Sequence, residues 1–210
     1  MFLSYICFFK ATEYLMNVSK AEQFVIKKLN RELPDNLYYH SKTHVTDVLN
    51  AALMYAEMEG LSIKEKKLLK TAVLFHDIGF VNQSKEHEAK GCEIARVQLP
   101  KFNYTEEEIE IICGMIMATK IPQSPTNLLE QIICDSDLDY LGRDDFWHIG
   151  NNLFKELSVY GILNDEKDWN RLQLKFLTSH SYFTKSALTL RKEKKDTHTE
   201  KIREIVNNYE

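Results

Sequence analysis

Apolar residues recur along this chain at the spacing of an α-helix. Between positions 45 and 56 they stand at i, i+3, i+4, i+7, i+8 and i+11, and the run at 109–117 repeats the first five of these positions. A third run begins at Leu68 and continues directly into His76. Such a stripe lets one face of a helix pack on a neighbour while the other face stays in solvent. The spacing therefore predicts several amphipathic helices packed on one another.

Helix start signals precede several of these runs. Three S/T-x-x-E capping boxes are present, at Ser19–Glu22, Ser62–Glu65 and Thr105–Glu108. In each, the hydroxyl can accept a hydrogen bond from a backbone N–H of the first turn while the carboxylate reaches back. We interpret Gly79 as a helix stop signal and the mixed charge run RKEKKD at 191–196 as a solvated helix end. Further helices are predicted at roughly 86–99, 126–134, 144–160, 166–178 and 198–209.

Few residues interrupt the helical pattern, because the 210 residues include only 7 Gly and 4 Pro. There is no strand-like alternation, internal repeat or low-complexity linker, so we predict an all-α fold in a single compact helical bundle. The formal net charge of −4 lacks the basic field of non-specific nucleic-acid binders, and no nucleic-acid partner is expected. The cysteines form no C-x-x-C pair, which favours reduced, buried thiols in a cytoplasmic protein. They are Cys7, Cys92, Cys113 and Cys134.

The first nine residues, MFLSYICFF, are apolar. This run is too short to span a bilayer, and it lacks the basic start and small-residue cleavage site of a signal peptide. We therefore predict no membrane association. Residues 1–16 are interpreted as an N-terminal apolar extension or packing segment, and residues 17–210 as the helical domain. An alternative is that Met16 is the natural start.

Histidines and carboxylates stand near the ends of three predicted helices. Their segments are YHSKTHVTDV at 39–48, LFHDIG at 74–79 and CDSDLDYLG at 134–142. His44 flanks the apolar stripe of its helix, His76 lies on the stripe of the next helix, and Asp77 follows it. A buried carboxylate beside a buried imidazole is costly unless both are paired or bind a metal. Imidazole and carboxylate donors together suit a divalent ion such as Mn²⁺, Fe²⁺, Co²⁺, Ni²⁺ or Zn²⁺.

The order H…HD…D resembles the metal-binding signature of the HD superfamily of metal-dependent phosphohydrolases, over roughly positions 37–142. In that family a His on one helix, an adjacent His-Asp pair on the next and a distant Asp bind one metal ion. The resemblance implies the ligands His44, His76, Asp77 and Asp137. Asp135 is the alternative to Asp137, and Asp139 is expected to orient a histidine ligand. The expected cofactor is one divalent transition metal, with Mg²⁺ as an alternative.

The stretch YHSKTHVTDV also resembles the YHNxxHAxDV segment of cyclic-nucleotide phosphodiesterases, which share the fold. In those enzymes the first His is the general acid and the second is a metal ligand. The resemblance makes His40 the general acid and His44 a ligand, one helical turn apart. Asp77 is expected both to bind the metal and to orient or deprotonate the attacking water, so the catalytic residues are His40 and Asp77.

Four further residues are candidates for substrate contact. His87 lies where HD enzymes with two metals carry a ligand for the second ion, but the later position reads MATK at 117–120, without a histidine. This favours a single metal ion, with His87 contacting the substrate or a metal ligand. Lys42 and Lys120 could meet phosphate oxygens. His180 lies in a segment, SHSYFT, that resembles a C-terminal His-aromatic motif of some small bacterial HD proteins; each of the four could instead be a structural or surface residue.

The resemblance implies a phosphohydrolase that cleaves a phosphoester or phosphoanhydride bond of a nucleotide or related small metabolite through a metal-activated water. One alternative is a non-hydrolytic regulatory module of the HD fold that binds metal and nucleotide. Others are a mixed-valent di-iron oxygenase, which needs more histidines than stand between His87 and Asp137, and an interaction domain whose histidines are structural. The expected partner is a small phosphorylated substrate, and a homodimer is compatible with the sequence.

Overall fold

The structure is a computed structural model that describes residues 15–209. The predicted N-terminal apolar segment, with Cys7, therefore lies outside the described residues except for Leu15 and Met16. Every regular element of the described part is helical, which confirms the all-α prediction. None of the helices in this part is long and apolar enough to cross a membrane. The helices are α1 (Val18–Glu32), α2 (Lys42–Met58), α3 (Ile63–Phe75), α4 (His87–Gln98), α5 (Glu106–Ala118), α6 (Leu128–Asp137), α7 (Phe146–Val159), α8 (Glu166–Ser179) and α9 (Lys185–Asn207).

The apolar stripes read from the sequence form a continuous core. Helix α2 packs against α3 and α6, and α5 packs against α3, α4 and α6. Tyr55, Phe75, Ile112 and Ile132 are among the large side chains fully buried between these helices. Burying each contributes about 1.5–3 kcal/mol relative to exposure. The cysteines of the described part are buried and free, as predicted: Cys92, Cys113 and Cys134.

The turn at 59–62 makes α2 and α3 antiparallel neighbours. As a result, the first turn of α2 lies beside the end of α3. Helix α6 packs against α2, and its last residue is Asp137. The three helix ends that carry the predicted metal ligands therefore converge because of how the core packs.

Two of the three predicted capping boxes are confirmed. Ser62 and Thr105 each accept a hydrogen bond from the backbone three residues later, and each receives the reciprocal carboxylate bond. The box at Ser19 is wrong, because α1 begins at Val18 and its side-chain cap is Asn17. The backbone N–H of Asn17 also donates to the carbonyl of Phe102, at 2.8 Å, which fixes where the chain enters the helix.

Gly79 is not the helix stop that the sequence predicted. Helix α3 already ends at Phe75, and Gly79 lies within a short 3₁₀ turn, Ile78–Val81. A Cβ atom added to Gly79 would stand 2.0 Å from the carbonyl oxygen of His87. The glycine is therefore needed because this turn touches the backbone at the start of α4.

The C-terminal helix is much longer than predicted. Helix α9 begins at Lys185 instead of near 198, and the Thr184 side chain caps it by accepting a hydrogen bond from the N–H of Ala187. The run 191–196 therefore lies inside the helix and is not a solvated end. Its Arg191 reaches the 3₁₀ turn Asp139–Gly142, against which α9 packs. Within this run of mixed charge, Arg191 faces the core and pairs with the buried Asp139.

Candidate metal centre

Two histidines and an aspartate meet where α2 begins and α3 ends. Nε2 of His44 lies 3.4 Å from Nε2 of His76. Oδ2 of Asp77 lies 3.5 Å from the first of these nitrogens and 3.2 Å from the second. Oδ1 of Asp137 lies 3.0 Å from Nε2 of His44 and 3.7 Å from Nε2 of His76. Donors about 2.0–2.2 Å from a common ion stand roughly 3–3.5 Å apart, so these separations suit a divalent cation.

The hydrogen bond made by His76 determines which of its nitrogens faces this cluster. Nδ1 of His76 lies 2.7 Å from the carbonyl oxygen of Val73. Because a carbonyl only accepts, Nδ1 carries the proton and donates it. The lone pair of Nε2 is thereby left for the cluster, as in histidines that bind metals.

The electrostatics of the cluster favour a positive charge at its centre. Burial lowers the pKa of His76, but the charges and hydrogen bonds of Asp77 and Asp137 together outweigh burial and hold the pKa well above its usual value. Burial raises the pKa of Asp77 and Asp137, yet their histidine neighbours keep both carboxyl pKa values below the usual range. Oδ2 of Asp77 is also buried without a hydrogen-bond partner in the described part of the chain. An orphaned carboxylate oxygen is costly, and a divalent ion would satisfy it.

The three aspartates at the end of α6 have different surroundings. Only Asp137 is brought to the histidines. Asp135 instead accepts the backbone N–H groups of Phe183 and Thr184, each at 2.8 Å, and so fixes the start of α9. Burial raises the pKa of Asp135 to about 6. Of the two alternatives, Asp137 is therefore the one positioned as a ligand.

Asp139 does not orient a histidine, so that expectation was wrong. Its carboxylate accepts hydrogen bonds from the hydroxyl of Tyr55, from Nε of Arg191 at 2.7 Å, and from Arg143 at 3.2 Å. Only 2% of Asp139 is exposed. It is a buried anion paired with two arginines, and it ties α9 to the rest of the core.

His40, the predicted general acid, is held by a carboxylate that the sequence reasoning missed. Nδ1 of His40 bonds to Oε1 of Glu156 on α7. Oε2 of Glu156 accepts the backbone N–H groups of Tyr39 and His40, at 2.8 and 3.1 Å. Burial raises the pKa of Glu156, but the interaction with His40 and the two backbone hydrogen bonds together outweigh burial and lower the pKa. One sequence signal existed, since Glu156 falls on the stripe of α7 that contains Ile149 and Leu153.

His87 stands on the other side of Asp77. Its Nδ1 donates to the carbonyl of Ser84 at 3.0 Å. Its Nε2 lies 3.4 Å from Oδ1 of Asp77 and 3.5 Å from Oε1 of Glu88. Burial lowers the pKa of His87, but the interactions with Asp77, Glu88 and the Ser84 carbonyl together outweigh burial and raise the pKa. His87 thus contacts a predicted metal ligand, one of the two roles expected for it.

A phenylalanine separates the two histidines that flank the metal cluster. The ring centroid of Phe80 lies 4.1 Å from that of His40 and 4.1 Å from that of His87. The ring planes are inclined by 24° and 30°, respectively. Phe80 therefore restricts both imidazoles, and no motif in the sequence predicted this role.

The two candidate lysines are not brought to the metal cluster. Nζ of Lys42 donates to Oδ1 of Asn30 at 2.6 Å on the surface. Nζ of Lys120 pairs with Oε2 of Glu86, also at 2.6 Å, and both side chains are exposed. Neither lysine lines the cavity beside the cluster. The structure therefore gives no support to either as a phosphate contact.

His180 lies behind the wall of that cavity. Its ring stacks on Phe176, a lining residue, with centroids 5.8 Å apart, and meets Tyr182 edge-on. Its two ring nitrogens are buried and find no hydrogen-bond partner within residues 15–209. Burial, and then the charge of Lys195, lower the pKa of His180 to about 4. His180 does not line the cavity, and its imidazole is neutral and packed between aromatic rings.

A cavity of about 390 Å³ opens beside the cluster. Asp77, Asp137 and His40 lie at one end, and α7 and α8 form the other end. Tyr39 and Tyr140 also line it, and burial raises both phenol pKa values, so these hydroxyls remain hydrogen-bond donors. The volume is within the range of small-molecule sites.

Known proteins share both sequence and fold with this chain. The HD domain family model matches residues 42–139, a range that includes all four predicted ligands. A protein from Clostridium beijerinckii, described as uncharacterized, is 31% identical over 109 residues. The match covers 50% of this chain and 64% of that relative, so the chain spans less than two thirds of the relative's length.

Two crystal structures have a similar fold over nearly the whole chain. A predicted HD superfamily hydrolase from an uncultured Thermotogales bacterium superposes with a TM-score of 0.60 and 17% identity, covering 95% of this chain and 97% of that one. A Lactobacillus plantarum protein superposes with a TM-score of 0.67 and 16% identity, covering 92% and 94%. At these identities the similarity shows the fold alone, and it agrees with the predicted all-α helical bundle.

Proposed function

We propose that this chain, which carries an HD domain over residues 42–139, is a metal-dependent phosphohydrolase acting on a small phosphorylated metabolite. The observation that carries the proposal is the buried cluster of His44, His76 and Asp77, in which Oδ2 of Asp77 has no hydrogen-bond partner among the described residues. Asp137 would complete the ligand set. The adjoining cavity has room for a substrate, and His40 stands at its wall.

A divalent ion held by these four residues would lower the pKa of a water toward neutrality and offset negative charge on the phosphoryl oxygens. Asp77 can orient the attacking water through its second carboxylate oxygen. Nε2 of His40 faces the substrate because Nδ1 is bonded to Glu156, and it donates a proton to the leaving oxygen. The water oxygen bonds to phosphorus as the bond to the leaving oxygen breaks. Tyr39 can donate a hydrogen bond to the phosphoryl group.

The His40–Glu156 pair favours an enzyme over a regulatory module that only binds. A module has no need of a proton donor held by a buried carboxylate beside the metal cluster. The group formed by His87, Glu88 and Oδ1 of Asp77 bears on the oxygenase alternative, because it offers donors for a second ion. We expect a single ion, and the measured stoichiometry distinguishes the two.

The test is a calorimetric titration of metal-free protein with Mn²⁺, Co²⁺, Ni²⁺ and Zn²⁺. We expect one ion per chain. We expect Asp137→Asn to weaken the metal affinity by roughly 100-fold or more, because loss of a residue that merely supports a ligand already weakens it by about 10- to 100-fold. Asp135→Asn is the matched control, since it removes a carboxylate two residues away that faces α9. The loaded wild type should hydrolyse p-nitrophenyl phosphate. Binding of two ions per chain, or equal metal affinity in Asp137→Asn and wild type, would contradict the proposal.

A further inference from the structure

The cavity has two chemically different ends. Asp77, Glu88 and Asp137 contribute three carboxylates to the end beside the cluster, together with the imidazoles of His40 and His87. Among the described residues, none that lines the cavity is a lysine or an arginine. A chain of phosphates needs several fixed cations or N–H donors, and three carboxylates repel such a polyanion. This end suits one phosphoryl group held at the metal.

The other end is apolar and lies between α7 and α8. Leu153 and Leu157 come from the first helix, and Trp169, Leu172 and Phe176 come from the second. The amide of Gln173 is a polar group at this end, and its Nε2 already donates to Asn170. Hydroxyls of a sugar placed here would lose water and gain few partners, which is unfavourable. An alkyl or aryl group would be stabilised by the same surroundings.

We infer that the substrate is a phosphomonoester with one phosphoryl group and an apolar leaving group of about the size of hexyl or naphthyl. This inference rests on the proposed function and restricts the substrate to phosphomonoesters that are not nucleotides. The bond between phosphorus and the leaving oxygen breaks, the water oxygen takes its place, and the products are inorganic phosphate and the apolar alcohol. The leaving oxygen receives its proton from His40, and the proton lost by the water leaves by way of Asp77.

The apolar end can be tested without metal and without turnover. Metal-free protein is titrated with n-alcohols from butanol to octanol, which are the leaving groups alone. Affinity should rise about fourfold for each added methylene, the value expected for transfer of one CH₂ group from water. In the metal-loaded protein, kcat/KM for the corresponding alkyl phosphates should rise in parallel and exceed that for AMP and ATP.

A pair of variants locates the effect in the cavity. Leu172 and Leu188 are 40% and 39% exposed, but only Leu172 lines the cavity. Leu172→Glu should weaken hexanol binding at least roughly tenfold, because it places a charge beside the alkyl chain. Leu188→Glu should leave binding within about twofold of wild type, because its charge lies on α9 in solvent.

The outcomes separate this inference from the proposed function. Alcohol affinity that does not change with chain length, or kcat/KM for AMP or ATP above that for hexyl phosphate, overturns the inference while phosphohydrolase activity stands. Rising alcohol affinity that Leu172→Glu abolishes supports the apolar ligand class. If such a protein hydrolyses no phosphoester when loaded with metal, the proposed function fails instead.

Discussion

Three histidines at the site are each held in place by a hydrogen bond at Nδ1. Nδ1 of His40 bonds to Glu156, while Nδ1 of His76 and of His87 donate to backbone carbonyls. In each case Nε2 is left to face the metal cluster or the cavity. The tautomer of each imidazole is thus determined by one neighbour, and the chemistry depends on residues that do not themselves touch a substrate.

The contribution of Glu156 can be separated from that of His40 by a double-mutant cycle. Glu156→Gln removes the charge that holds the imidazole, and we expect kcat to fall about 10- to 100-fold, within the range of general acid effects. Metal affinity should not change. His40→Ala should cost about 10²–10⁴-fold in kcat, and the double variant should be no slower than His40→Ala. Independent, multiplying losses in steady-state kinetics would show that Glu156 does not act through His40.

His180 gives a prediction about stability and pH. Its folded pKa of about 4 lies below the usual value of about 6.5. Between about pH 6.5 and about pH 4, His180 is protonated in the unfolded chain but neutral in the folded chain. The neutral buried imidazole therefore contributes its full stability above about pH 6.5, and that stability is lost as the pH falls toward 4. Between about pH 7.5 and about pH 5, wild type should lose about 2 kcal/mol more than His180→Phe. Urea unfolding at both pH values measures this difference, and equal losses would contradict it.

At the scale of elements, some of the helix caps and stops predicted from the sequence are used in the structure and others are not. Ser62 and Ser19 stand in the same S-x-x-E pattern, but only Ser62 caps a helix. Asn17 takes the capping position of α1 because its backbone is also fixed by Phe102. Gly79 likewise marks a close contact with the start of α4 and not a helix end. A local pattern offers a cap or a stop, and the neighbouring elements determine whether it is used.

The two serines supply a matched comparison. Ser62→Ala removes the acceptor for the N–H of Glu65 and should lower the free energy of unfolding by about 1 kcal/mol. Ser19→Ala changes an exposed residue inside α1, where alanine is the better helix former, and should leave stability within about 0.5 kcal/mol. Chemical denaturation measures both variants. A loss at Ser19 as large as that at Ser62 would restore the first capping box.

At the scale of the whole molecule, α9 is held to the core by buried acids. Asp135 fixes the two residues that lead into α9, and Asp139 pairs with Arg191 in the second turn of that helix. Asp135 lies in the last turn of α6 and Asp139 lies just beyond that helix, on either side of the candidate ligand Asp137. The segment that carries the candidate ligand Asp137 therefore also anchors the C-terminal helix.

The pairing of α9 with the core can be tested with two arginines of that helix. Arg191→Ala leaves Asp139, which is 2% exposed, with fewer partners and should cost about 2–3 kcal/mol in unfolding free energy. Arg203→Ala removes an exposed pair with Glu200 and should cost no more than about 0.5 kcal/mol. Thermal or urea denaturation compares them. Equal effects would mean that the buried pair does not stabilise α9.

The sequence by itself determined the all-α class and most of the helices, and it pointed to the candidate metal ligands. Apolar spacing and caps report burial and hydrogen bonding within one helix, and these are local properties. The resemblance to the HD superfamily pointed to His44, His76, Asp77 and Asp137, which the structure brings together.

Only the tertiary structure decided which residues surround those ligands. Glu156 lies 117 positions from Tyr39, and nothing in the chain near His40 indicates that α7 packs there. The same is true of the apolar end of the cavity, and of the lysines, Lys42 and Lys120, that turned out to lie elsewhere. The physical reason is that contacts between distant helices depend on how whole faces pack, which the periodicity of one helix does not specify.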